Sequence, residues 1–194
     1  MPARAPRVRG RNHSAARAIL ELFASEDWAS IRCNLESLLA MALLAETAAF
    51  LADQERASEL YDLLAPYKPL VAVAPHCFPM GAMSRYLGML AGVLSRLDEA
   101  ASQLQDAAAT NAAIGARPWV AHAKADHARV LLTRQAPGDR AHAGDLLREA
   151  LAIHEQLGMN ASANRVAALL AEAAAPPPPE ARRTLPGDMV HRRP

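Results

Sequence analysis

Residues 122–127, HAKADH, bring two imidazoles and a carboxylate into one short stretch. His122 and Asp126 are four apart, so on a helix they share a face and could hold a metal between them. A metal site also needs a third ligand and outer partners that fix the first ones, and the surrounding sequence supplies neither. His127 falls where the helical pattern places a large apolar side chain, so it reads as a packed core histidine. Cys33 and Cys77 are the next candidates. A nucleophilic thiol needs a nearby base and an electropositive setting, and the only hint of one is His76 beside Cys77. Two widely spaced cysteines are expected to be reduced thiols in a cytoplasmic protein, not a disulfide framework. The acid pairs Glu26-Asp27 and Asp98-Glu99 stand at expected helix starts, where a carboxylate meets the positive end of the helix dipole. No G-x-x-x-x-G-K-[ST] phosphate loop occurs. The reading is therefore non-enzymatic, with no catalytic residue, no metal and no cofactor expected.

A second set suits binding better than catalysis. Glu46, Arg85, Met89, His122 and Arg129 lie on the first helices of successive expected hairpins. If those helices line a concave surface, the five side chains project into one groove. Such a groove fits a peptide or helix carrying acidic and apolar groups, so a protein or peptide partner is expected. Trp119 follows Pro118 at a helix start and reads as a packing anchor.

These residues need helices to position them, and the composition supplies helices. Of 194 residues 52% are hydrophobic but only 4% aromatic, and alanine and leucine make up most of the apolar share. Both are strong helix formers, whereas the β-branched residues of strands are scarce. The net charge of +1 conceals basic ends around a mildly acidic middle, because residues 1–20 hold five arginines and no acid. A nucleic-acid reader needs a basic stripe on its folded surface, so nucleic acid is expected only through the basic tails. The longest apolar run, SLLAMALLAETAAFLA (37–52), is broken by Glu46. It is shorter than the roughly 20 residues of a membrane span, and no membrane partner is expected.

The helices recur. Ala57, Ala100 and Ala143 stand 43 positions apart, and Tyr61, Leu104 and Leu147 keep that interval. So do IGA (114–116) and LGM (157–159), where Gly115 and Gly158 are placed to end helices in the left-handed conformation. Upstream of each marked segment lies another helix, over roughly 31–50, 80–95 and 118–134. Gly88 precedes Ala100 by twelve residues, the distance needed to climb one helix, turn and return opposite. Ala45 holds the matching place before Ala57, and Ala128 the place facing Ala143. Glycine inside a helix costs about 1 kcal/mol relative to alanine, so a close backbone approach is the expected reason for Gly88. Residues 65–81 read as a long inserted loop whose apolar LVAVA packs against the body.

Leu87-Gly88, Ala91, Ala100, Leu104 and Ala107 resemble the tetratricopeptide pattern, a helix–turn–helix repeat of about 34 residues; the interval here is longer. Residues 28–160 as a whole, with the turns GARPW and PGD, resemble the C-terminal repeat region of bacterial signal-transduction ATPases. That resemblance implies a sensing or docking role, with the chemistry in other domains. The expected fold is an all-α solenoid of about three helix-turn-helix hairpins plus a terminal helix within 14–175. A disordered basic leader over 1–13 and a disordered Pro/Arg-rich tail over 176–194 flank it. The expected function is a protein-interaction module, with a transcription-associated regulator touching DNA through its tails as the alternative. An uncovered end of the stack would expose apolar surface and favour a homodimer.

Overall fold

The computed structural model describes residues 5–26, 28, 37–74 and 78–175. Cys33, His76, Cys77, Asp27 and the tail from 176 onward lie outside them. The described residues form eight α-helices and one two-stranded sheet. Helix α1 is Ala5–Ala24, and then three hairpins follow: α2 (Ser37–Leu51) with α3 (Gln54–Leu64), α4 (Met83–Val93) with α5 (Leu97–Ala113), and α6 (Arg117–Arg134) with α7 (Asp139–Gln156). Helix α8, Asn160–Ala174, closes the series. The chain is thus an all-α stack of helical hairpins with a terminal helix. Helix α1 begins at Ala5, within the stretch expected to be a basic leader.

The same backbone device makes four of the turns. Ala52, Ser95, Gly115 and Gly158 all have positive φ, at 51°, 60°, 71° and 66°. The next residue then donates its N–H five positions back. These bonds are Asp53 to Ala48, Arg96 to Ala91, Ala116 to Asn111 and Met159 to His154, all at 2.9–3.1 Å. This is the Schellman cap, which satisfies carbonyls that a helix end would otherwise leave bare. An added Cβ at Gly115 or Gly158 would meet nothing within 4 Å, so φ alone favours glycine there. Asp53 also caps α3, its side chain accepting from the Arg56 N–H at 3.2 Å.

Small residues carry the hairpin contacts. Ala45, Ala57, Ala100, Ala128 and Ala143 are all fully buried. A Cβ built on Gly88 would lie 2.6 Å from Leu104 Cγ and 3.2 Å from the Ala100 carbonyl oxygen. The two backbones therefore meet where the sequence spacing places them. Around these points two cores form. One joins α1, α2, α3 and α4 through Leu20, Trp28, Met41, Leu60 and Leu87; the other runs from α4 to α8 through Leu104, Leu131, Leu147 and Val166. Helix α4 contributes to both, with Leu90 in the first and Ala91 in the second, and Tyr61 packs against each.

The segment expected to be a loop over 65–81 is structured. After a 3-10 turn at Ala65–Tyr67, strands β1 (Val71–Ala74) and β2 (Phe78–Ala82) pair antiparallel, with a bulge between Ala72 and Val73. Three side chains from the helices fasten the pair. The Ala82 N–H donates to Asn111 Oδ1 at 3.0 Å, Trp119 Nε1 donates to the Pro79 carbonyl at 2.7 Å, and the Tyr86 hydroxyl donates to the Met80 carbonyl. Gly81, at φ 100°, lets the strand pass over the Trp119 ring, which a Cβ would approach to 3.1 Å. Valines alternating with alanines (VAVA) are compatible with a strand, and the strand β2 that they pair with is held against the helices by α4, α5 and α6.

Candidate functional site

The first helices of the three hairpins, α2, α4 and α6, stand side by side and carry the groove residues. Their meeting point is an ion triad. Arg85 on α4 places Nη1 2.7 Å from Glu46 Oε1 on α2 and Nη2 2.7 Å from Asp126 Oδ2 on α6. Arg85 Nε adds a hydrogen bond to the same Asp126 oxygen at 2.9 Å. The guanidinium also lies 5.4 Å from the Tyr86 ring centroid and 5.7 Å from that of Trp119. Arg85 is 6% exposed. Burial opposes its charge, but Asp126 and Glu46 outweigh that and hold its pKa above the usual arginine value. The second Asp126 oxygen accepts from Arg129. Arg85 is therefore a tie between three helices, not a free groove side chain.

Two concavities adjoin this triad. One, of about 560 Å³, is mainly apolar and includes Phe50, Met89, Val93, Leu97 and Val130. The other, of about 390 Å³, is more polar and reaches to α7 and α8. Glu46, Met89, Asp126 and Arg129 border both. All five residues expected in a groove, Glu46, Arg85, Met89, His122 and Arg129, line the polar concavity. The sequence did not single out Phe50 in the apolar part, nor His154, Ser162 and Arg165 in the polar part. Phe50 is 55% exposed and its ring lies 4.5 Å from that of His13 on α1. An exposed aromatic at the end of an apolar helix was the one available signal for it.

The HAKADH cluster does not converge. His122 packs between the rings of Trp119 and His154, at 5.4 and 4.9 Å. Asp126 is committed to Arg85 and Arg129, while His127 is buried and meets His142 at 5.5 Å. Among the described residues no group of three or more His, Cys, Asp or Glu could hold a metal ion. Trp119 anchors the β-hairpin, in keeping with a packing role.

Burial drives the histidines toward their neutral form. His122 is pulled down to about 4, chiefly by desolvation and then by the Arg85 and His154 charges. His127 is also pulled down to about 4, by desolvation and then by His142 and Arg134. His154 is lowered by desolvation and then Arg165. A histidine whose folded pKa is below its unfolded value near 6.5 contributes fully above that pH. Its contribution is lost as pH falls from there toward 4. The urea midpoint is accordingly expected to drop between pH 7 and pH 5, and His127→Leu to flatten that slope. A midpoint independent of pH over that range would contradict the assignment of neutral, buried rings.

Fold and groove together define an all-α helical-repeat protein. Among the described residues no helix is long and apolar enough to cross a membrane. No family model matches the chain, and no curated protein matches it. Among solved structures it is similar to the crystal structure of BtubC (BKLC) from P. vanneervenii, with a TM-score of 0.53 and 19% identity. The match covers 88% of this chain and 66% of that one, so the chain spans just under two thirds of that neighbour's length. At this identity the likeness is one of fold.

Proposed function

We propose that the chain is a non-catalytic interaction module that receives a partner-protein segment in the groove along α2, α4 and α6. The supporting observation is the pair of adjoining concavities, one apolar and one polar, on helices that the Arg85 triad ties together. A partner segment with an apolar side chain for the Phe50–Met89 region and an acidic group for the arginine-bearing region matches both. The tetratricopeptide-like pattern and the resemblance to signal-transduction ATPase repeats give the module a cytoplasmic, regulatory setting in this reading.

The test is peptide display, panning the full chain against a variant carrying Phe50→Ser with Arg129→Gln. Both side chains are largely exposed, at 55% for Phe50 and 47% for the Arg129 side chain, so the variant should keep its melting temperature. Wild type is expected to enrich peptides with apolar and acidic residues. The variant should bind them about tenfold or more weakly, as for loss of an aromatic or arginine anchor. Equal binding by the two proteins, or no enrichment at all, removes the proposal.

A further inference from the structure

The polar concavity contains four groups that the groove's ion pairs leave unused. His154 on α7 is fully buried, and neither of its ring nitrogens has a hydrogen-bond partner. Such a group costs about 1–3 kcal/mol unless something satisfies it. His122 stacks on it, 4.9 Å between ring centroids. Arg165 on α8 is exposed, has no carboxylate partner among the described residues, and donates from Nη2 to Ser162 Oγ at 3.0 Å. Ser162, which is buried, accepts that bond and keeps its own proton for an acceptor. Ser162, Arg165 and Val166 all line the concavity, so the first turns of α8 open onto it. That helix starts with no side-chain cap and no acid in its first turn. Its dipole therefore adds positive potential there.

The geometry points to a carboxylate-binding subsite at Arg165, Ser162, His122 and His154, where α7 and α8 complete the groove. This inference rests on the docking reading above and specifies what its polar end holds. Charge selects the ligand. The lining has three guanidiniums, Arg85, Arg129 and Arg165, against two carboxylates, Glu46 and Asp126. One positive charge remains, on Arg165, which suits a monoanionic carboxylate better than a doubly charged phosphate. A bound carboxylate oxygen accepts from Arg165 and the Ser162 hydroxyl, and an imidazole N–H supplies a further donor.

Binding should also move a proton. The groups around His122 are Glu46 on α2, Arg85 on α4, Asp126 and Arg129 on α6, His154 on α7 and Arg165 on α8. An added negative charge among them raises the His122 pKa from its depressed value. Affinity then grows as pH falls from the ordinary histidine value near 6.5 toward 4.

The experiment titrates the full chain with three probes: N-acetyl-leucyl-leucine with a free carboxylate, the same dipeptide as its C-terminal amide, and a doubly capped tripeptide with glutamate between two leucines. The readouts are affinity and the ring signals of His122 and His154 in 15N-labelled protein. At least one carboxylate-bearing probe is expected to bind about tenfold more tightly than the amide and to shift both rings. The dipeptide acting alone identifies a chain terminus or free acid, and the tripeptide acting alone identifies an acidic side chain. Arg165→Gln should erase the advantage over the amide without lowering the melting temperature. Equal affinity for amide and carboxylate, no binding of any probe, or an advantage that survives Arg165→Gln overturns the subsite. The docking reading is judged separately, since Phe50→Ser should weaken the amide as well.

Discussion

Replacing Arg85 with methionine is expected to destabilise the chain by about 3–5 kcal/mol, the usual cost of removing one partner from a buried ion pair. The loss comes less from missing attraction than from what stays behind. Asp126 has a side chain only 12% exposed, and Arg129 alone would remain to neutralise it. Glu46 is 39% exposed and can turn to water, so it contributes less. Removing the stranded charge as well, in Arg85→Met with Asp126→Leu, should recover much of the stability, because well-packed apolar groups often replace buried ions at little cost. Chemical denaturation of the single and double variants measures both effects. A single variant within about 1 kcal/mol of wild type would mean that the three helices are held by something other than the triad.

The second large effect is expected at Gly88. Gly88→Val should cost about 3 kcal/mol, the upper end of the range for forcing extra carbon into a packed contact. Its Cβ alone would lie 2.6 Å from Leu104 Cγ and 3.0 Å from Cδ2, and the Ala100 carbonyl behind them is backbone that cannot swing aside. Alanine is milder, since it regains about 1 kcal/mol of helix propensity relative to glycine. A double-mutant cycle with Leu104→Ala separates crowding from propensity. If crowding governs, the Gly88→Ala penalty shrinks or reverses once Leu104 is trimmed. A penalty unchanged by trimming Leu104 would refute the close approach.

The framework was legible because it is written in small residues at fixed intervals. Ala57, Ala100 and Ala143 mark returning helices, and Gly115 and Gly158 mark the turns that end them. Ala52 and Ser95 make the same turn, but without glycine they give no local signal. The strands at 71–82 were missed for a different reason. They pair with each other, but β2 is held in place by Asn111 and Trp119, some thirty to forty residues away, and a local pattern does not show distant partners. The site was half legible. Helical phase brought Glu46, Arg85, Met89, His122 and Arg129 together, but it could not show that Arg85 is consumed by two carboxylates. Nor could it show that the terminal helix brings Ser162 and Arg165 to the same place.

The repeated turn has a consequence for how such a chain can change. The junctions at Gly115–Ala116 and Gly158–Met159 use the same hydrogen bonds to stop one helix and release the next. A duplicated stretch between equivalent junctions would thus arrive with its own start, stop and facing surface, and need no new interface chemistry. Lengthening by whole units is open to this architecture, whereas adding or removing a few residues would rotate every later helix out of phase.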